Sequence, residues 1–141
     1  MKKLLLTLYF LVAVIGCAKP YLPPSEGSLA SIKFINEKGF NHIDTGNSCA
    51  TRRQPEVGQW LKVRANKPVW IEQGFDTSQL PYGIACVIGY RFTPEENTRY
   101  EAHYILNGVN CHIELYEILD SGKNINITME IQPVDLKACW Y

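Results

Sequence analysis

The chain has 141 residues, with 14 lysines and arginines against 14 aspartates and glutamates, so its formal net charge at pH 7 is zero. This length suits a single domain with a hydrophobic core. The charge pattern contains no basic tract and indicates no nucleic-acid partner.

The first sixteen residues have the layout of a secretory signal peptide. Lys2 and Lys3 precede an almost wholly apolar run that ends at Ile15. This run is too short to cross a hydrocarbon layer of about 30 Å as a helix. The segment Val14-Ile15-Gly16-Cys17 that follows resembles the lipobox of bacterial lipoproteins, in which an aliphatic pair and a small residue precede an invariant cysteine.

The resemblance to lipoproteins implies cleavage before Cys17 and attachment of lipid, including fatty acids such as palmitate, to that cysteine. Ala18 stands where an aspartate would resemble the inner-membrane retention signal of enterobacterial lipoproteins. The resemblance therefore implies an outer-membrane location, with the domain facing the periplasm. Residues 17–28 contain three prolines and one glycine after the cysteine, and we predict that they form a tether. One folded domain is predicted to follow over residues 29–141.

The folded domain is predicted to be all-β. Turn signals such as Asn66-Lys67-Pro68 and Asp120-Ser121-Gly122-Lys123 separate short apolar or alternating runs. Seven short strands with this spacing indicate an antiparallel β-sandwich. The expected strands are Leu29–Ile35, Trp60–Ala65, Val69–Gly74, Ile84–Phe92, Arg99–Leu106, Val109–Ile118 and Asn124–Gln132.

The pair Asn107-Gly108 predicts a tight hairpin, because a type I′ turn needs positive φ at both central positions. A two-residue loop would pair Leu106 with Val109. This register opposes Tyr104 to Cys111, Ala102 to Ile113 and Tyr100 to Leu115 on an apolar face, and His103 to His112 and Glu101 to Glu114 on a polar face.

The next hairpin is predicted to pair Ile118 with Asn124. It continues the apolar face through Leu115–Ile127, Ile113–Met129 and Cys111–Ile131, and it adds Asn126, Thr128 and Glu130 to the polar face. The three strands would form a meander with one dry side and one wet side.

Four cysteines remain once Cys17 is assigned to lipid, and an even number in an exported chain predicts two disulfides. The predicted meander brings the chain after Gln132 close to Cys111, so Cys111–Cys139 is the expected link. Cys49–Cys86 then follows by elimination.

One stretch resembles the joint between strands in transthyretin-like and immunoglobulin-like envelope lipoproteins: Phe92-Thr93-Pro94, the polar turn after it and Tyr100. Ala65-Asn66-Lys67-Pro68-Val69 resembles another turn of that class, with Asn66 where glycine is usual. The resemblance implies a fold and no activity. It also implies a tyrosine corner, in which the Tyr100 hydroxyl bonds upstream backbone.

The polar face of the meander carries the candidate metal site. Opposed His103 and His112 would hold a divalent ion such as Zn or Cu between them, and the shell would be completed by Glu101, Glu114 and Glu130. The preferred interpretation is that these residues form an ordinary solvated sheet face without a cofactor, and metal binding is the alternative.

No G-x-S-x-G motif or metal-cluster cysteine spacing occurs in the sequence, so no catalytic residue is assigned. The preferred prediction is a membrane-anchored, non-catalytic binding or structural module that works with an envelope protein partner. A metal-binding lipoprotein is the alternative, and a small envelope hydrolase or an inhibitor of one is the third.

Overall fold

A computed structural model describes residues 21–36, 39–44, 53–76, 85–107, 110–128 and 132–133, and every named element in it is a β-strand. The prediction of an all-β chain is confirmed. These residues contain no helix of the length and apolarity needed to cross a membrane. The strands are β1 (Leu29–Ile35), β2 (Phe40–Asp44), β3 (Trp60–Arg64), β4 (Val69–Asp76), β5 (Ala85–Phe92), β6 (Arg99–Asn107), β7 (Asn110–Ile118), β8 (Asn124–Asn126) and β9 (Gln132–Pro133).

The strands form two sheets, one in the order β3-β1-β6-β7-β8 and the other in the order β2-β4-β5-β9. The first sheet is mixed, because β1 runs parallel to β6 with Ile32 beside Tyr100. The expectation of a wholly antiparallel arrangement is therefore wrong. Between β1 and β6 the chain forms β2 in the other sheet, β3 at the edge of the first sheet, and then β4 and β5 in the other sheet. A parallel pair requires a long connection of this kind.

The two sheets share one hydrophobic core. Alternate residues of β1 point inward, so Ile32 and Phe34 are fully buried while Lys33 lies on the opposite face. The other members come from both sheets and include Val63, Ala102, Ile113 and Leu115 from the first and Ile43, Val69, Ile71 and Phe92 from the second.

Strand β2 has no counterpart among the predicted strands. Its first inward residue is polar: Asn41 lies between Phe40 and His42 and is 1% exposed, whereas the next inward residue, Ile43, is apolar. The side-chain amide of Gln73 on β4 donates a hydrogen bond of 2.8 Å to the Asn41 oxygen. A partner that is distant in sequence thus satisfies a residue that breaks the expected alternation.

The β6–β7 hairpin has the predicted faces but a different register. Asn107 pairs with Asn110, so each partner lies two residues from its expected position, and a shift of two keeps every side chain on its face. The predicted His103–His112 and Glu101–Glu114 pairs are wrong. Instead His103 lies opposite Glu114 and Glu101 lies opposite Tyr116. This register avoids placing two carboxylates directly across from each other.

The pairing of Ile118 with Asn124 is confirmed, but β8 ends at Asn126. The Asn126 side chain accepts a hydrogen bond from the Thr128 amide, and the Thr128 hydroxyl accepts one from the Leu115 amide. The Ile127 amide still donates to the Leu115 carbonyl, and the side-chain bonds take the place of the ladder beyond that point. Gln132–Pro133 pairs with β5 in the other sheet, so the predicted single strand to Gln132 is wrong. Met129, Glu130 and Ile131 lie outside the described residues.

A disulfide joins Cys86 on β5 to Cys111 on β7, with 6.0 Å between their Cα atoms. The predicted pairs Cys111–Cys139 and Cys49–Cys86 are therefore both wrong. The prediction failed because it placed a third meander strand beside Cys111, whereas the chain leaves that sheet after β8. The structure describes this one disulfide; Cys17, Cys49 and Cys139 lie outside the described residues.

The corner before β6 has the contact that the sequence predicts. The Glu95 amide donates a hydrogen bond of 3.0 Å to the Tyr100 hydroxyl. The Tyr100 ring also packs edge-on against Phe92, with 5.2 Å between the ring centroids. Burial is the largest influence on the Tyr100 hydroxyl and raises its pKa. Asn66 has a φ of 57°, the left-handed conformation for which glycine and asparagine are favoured.

Candidate functional site

The outward face of the first sheet carries one row of side chains that crosses all five strands. In this row Trp60 of β3 lies beside Lys33 of β1, which lies beside Glu101 of β6. The row continues through Tyr116 of β7 to Asn126 of β8. A strand-by-strand reading of the sequence does not reveal this row, because β3 and β1 join it only through tertiary pairing.

Two cations flank the exposed indole of Trp60. The Lys33 ammonium lies 5.5 Å from the ring centroid and the Arg99 guanidinium carbon lies 5.8 Å from it. Trp60 is nevertheless 42% exposed. Both distances are within the range of a cation–π interaction, which restricts the ring while leaving much of it accessible.

Glu101 connects this aromatic end of the row to His103. Its two carboxylate oxygens lie 3.3 Å from the Lys33 ammonium and 3.1 Å from Nε2 of His103. Burial by itself raises the pKa of Glu101, but the hydrogen bonds from His103 and Lys33 and the charge of Lys33 together outweigh it. The pKa of Glu101 is therefore lowered from its usual value.

Glu114 organises the β7 side of the same face. The Tyr116 hydroxyl donates a hydrogen bond of 2.6 Å to Glu114, and Nε2 of His112 lies 3.6 Å from its other oxygen. The hydrogen bond from Tyr116 is the largest influence on Glu114 and lowers its pKa. Burial acts in the opposite direction, and the hydrogen bond from His112 adds to the lowering. The hydrogen bond to Glu114 raises the pKa of the Tyr116 hydroxyl.

The predicted metal ligands are only partly brought together. His103 lies beside Glu101 and opposite Glu114, but His112 lies opposite Ile105 rather than His103. Within the described part of the chain, no three histidine, cysteine or acidic side chains are grouped so as to hold a metal ion. Glu130, the fifth predicted ligand, lies outside that part. Metal binding at this face stays the alternative hypothesis.

Tyr21 joins the N-terminal segment to the edge strand β3, a contact that the sequence reading did not anticipate. Its ring packs against the hydrophobic core, and its hydroxyl donates a hydrogen bond of 2.8 Å to the Lys62 carbonyl. Burial raises the pKa of Tyr21 to about 12, while the charge of Arg64 acts in the opposite direction. The available signal was an aromatic residue among the prolines of the predicted tether.

A second polar contact lies on the outward face of the other sheet. Nδ1 of His42 is 2.9 Å from the Glu72 carboxylate, and the two residues are directly paired between β2 and β4. Glu72 is only 6% exposed. This pairing makes His42 part of a strand-to-strand contact.

Comparison with known proteins identifies no relative. No protein-family model, curated protein or solved structure matches the chain.

Proposed function

We propose that the protein is a lipid-anchored envelope lipoprotein whose domain is a non-catalytic binding or structural module. The observation that carries the proposal is the segment Val14-Ile15-Gly16-Cys17 at the end of a charged and apolar leader. The proposed anchor is lipid on Cys17, and the proposed location is the periplasmic side of the outer membrane. The Cys86–Cys111 disulfide supports export, because such bonds persist in oxidising compartments.

The finer proposal for the fold is a β-sandwich of the transthyretin-like or immunoglobulin-like kind. Support comes from the core that the two sheets share and from the hydrogen bond between the Glu95 amide and the Tyr100 hydroxyl. In this proposal the sandwich is a scaffold that presents its sheet faces to other envelope components.

The outward face of the first sheet is the proposed binding surface. Exposed or half-exposed tryptophan, tyrosine, histidine and charged side chains lie side by side on it. Tryptophan, tyrosine and arginine are the residue types that contribute most to protein interfaces. The two ends of the face differ in charge, because lysine and arginine dominate near β3 while Glu101 and Glu114 lie nearer β7.

Fatty-acid labelling tests the anchor. The full chain is expressed in a Gram-negative bacterium with an alkyne-tagged palmitate, and Cys17→Ser is compared with the matched variant Cys49→Ser. We expect label in the membrane fraction for the wild-type chain and for Cys49→Ser, and no label for Cys17→Ser. Equal labelling of the two variants would refute lipidation at Cys17.

Site-specific photocrosslinking in intact cells tests the binding role. A photoreactive residue replaces His112, which is exposed on β7, or Arg91, which is exposed on β5 in the other sheet. We expect a discrete adduct of higher mass from position 112 that position 91 does not give. The same adduct pattern from both positions, or adducts from neither, would contradict a partner at this face.

A further inference from the structure

We propose that the β3 end of the first sheet docks on the surface of an anionic phospholipid bilayer, with Trp60 at the lipid–water interface and Lys62 and Arg64 on phosphate groups. This inference rests on the proposed lipid anchor at Cys17 and adds the orientation in which the domain sits on the membrane.

The first argument is the distance between the proposed anchor and the sheet. Three residues, Ala18, Lys19 and Pro20, separate Cys17 from Tyr21. Four residue steps span at most about 14 Å even when fully extended. The Tyr21 hydroxyl is bonded to the Lys62 carbonyl and the Tyr21 amide to the Gln54 carbonyl. An acylated Cys17 at the headgroup level therefore holds β3 close to the bilayer.

The second argument is the charge of the strand that the anchor reaches. The outward residues of β3 are Trp60, Lys62 and Arg64, and all three are exposed. The Lys62 ammonium bonds the Ser31 hydroxyl across the outward face, which fixes its direction. Lys33 of β1 and Arg99 of β6 flank the indole, so four cations lie at this end of the face in a chain whose formal net charge is zero.

The third argument is the chemistry of the residues. Tryptophan is enriched at membrane interfaces because its ring is apolar while its N–H needs a polar partner. Lysine and arginine near an anionic surface are attracted within a Debye length. Leu22, adjacent to Tyr21, is 80% exposed and adds an apolar side chain beside the anchor. Strand β7 lies three strand positions away, about 14 Å, and carries Glu114.

Lipid-dependent quenching of tryptophan fluorescence tests the orientation. The full lipidated chain is purified in detergent and reconstituted into vesicles of phosphatidylcholine alone or mixed equally with phosphatidylglycerol. Phosphatidylcholine brominated near the headgroup is the quencher. We expect stronger quenching in the anionic vesicles, and we expect Trp60→Phe to lose the difference between the two kinds of vesicle, since Trp70 and Trp140 remain in both chains.

Charge variants distinguish docking from simple proximity. The double variant Lys62→Gln/Arg64→Gln is compared with Arg91→Gln/Lys123→Gln, which removes two exposed cations elsewhere. Each cation near an anionic surface favours docking about fivefold, so the first pair lowers the ratio of docked to undocked protein about thirtyfold and the second leaves it unchanged. Raising sodium chloride from about 0.1 M to about 1 M shortens the Debye length from about 10 Å to about 3 Å and weakens the quenching in the wild-type chain.

Flotation of the same vesicles separates the two proposals. Protein that floats with the vesicles but shows no Trp60-dependent quenching, or equal quenching in the two double variants, overturns the docking inference and leaves the lipid anchor intact. Protein that fails to float refutes the anchor, and the docking inference with it.

Discussion

The hydroxyl of Tyr21 donates a hydrogen bond to the backbone carbonyl of Lys62 and thereby fastens the N-terminal segment to an edge strand. The contact covers one backbone carbonyl of β3 at the same time. Edge strands expose unpaired backbone groups, and a side chain that covers one of them protects that edge from pairing with another chain.

Replacing Tyr21 by phenylalanine tests this contact. The ring still packs against the core, so only the hydrogen bond is lost, and we expect the free energy of unfolding to fall by about 0.5–1.5 kcal/mol. Urea unfolding followed by circular dichroism measures it. Tyr90→Phe on β5 is the control for removing a tyrosine hydroxyl. If the free energy of unfolding falls no further in Tyr21→Phe than in Tyr90→Phe, the Tyr21 hydroxyl adds nothing to stability.

The disulfide between Cys86 and Cys111 links the two sheets and closes a loop with a sequence separation of 25. In the chain-entropy model, a loop of this length contributes roughly 3–4 kcal/mol to stability. We expect Cys86→Ala/Cys111→Ala to be destabilised by about this amount. A non-reducing tryptic map should show the peptide 65–91 joined to the peptide 100–123. A link from either of these peptides to Cys139 would contradict the structure.

The assignment of Cys86 and Cys111 leaves Cys49 and Cys139 as the remaining pair once Cys17 carries lipid. One row across the second sheet contains Asp44, Trp70, Arg91 and Gln132. The end of β2 therefore lies about three strand spacings, or about 14 Å, from β9. Cys49 follows Asp44 by five residues and Cys139 follows Pro133 by six, which is enough chain to bridge that gap.

We therefore predict a Cys49–Cys139 disulfide in the exported protein. This bond forms by thiol–disulfide exchange with the disulfide of an oxidant protein. That disulfide is reduced to two thiols as it accepts both electrons and both protons. In the tryptic map, the peptide 39–52 should be joined to the peptide 138–141, and both should be released by reductant. Alkylation of Cys49 and Cys139 in the unreduced protein would exclude the link.

The hairpin β6–β7 shows how much of this structure follows from the sequence. Alternation assigns each side chain to its face, and the observed faces agree with that assignment. It does not select between registers that differ by two residues, because both keep the same faces. The choice depends on cross-strand partners such as Glu101 with Tyr116 and on the disulfide to β5, which belongs to the other sheet.

Only the part of the candidate face that lies on β6 and β7 was predictable from the sequence. Trp60 and Lys33 join Glu101 through the parallel pairing of β1 with β6, which no local pattern signals. Strand β2 was missed for a related reason, since Asn41 occupies a buried position only because Gln73 donates a hydrogen bond to it. In both cases contacts between distant residues outweigh the local pattern.

The lowered pKa values of Glu101 and Glu114 predict a particular dependence of stability on pH. A carboxylate whose pKa is lower in the folded protein stabilises it above the unfolded value and loses that contribution as pH falls through the folded value. The loss is therefore expected below about pH 4.5, the reference value for glutamate.

Urea midpoints measured from pH 7 to pH 3 test this dependence. Glu101→Gln/Glu114→Gln should have a smaller decrease below pH 4.5 than the wild-type chain, by less than about 1 kcal/mol per group, because both carboxylates are partly solvated. Glu56→Gln, at an exposed position before β3, is the matched control. A wild-type slope in the double variant would mean that these two groups do not contribute.

Metal titration tests the remaining hypothesis for the polar face. Nε2 of His103 already lies 3.1 Å from Glu101, and the hydroxyl of Tyr116 occupies an oxygen of Glu114. A metal ion would have to displace these contacts, and His112 is not opposite His103 to offer a second imidazole. We therefore expect Zn or Cu to bind the metal-free protein no more tightly than the millimolar range, as measured by calorimetry.

His103→Ala should leave the isotherm unchanged, with His42→Ala as the control for loss of a histidine. Micromolar binding that disappears in His103→Ala and persists in His42→Ala would instead establish a metal site on this face.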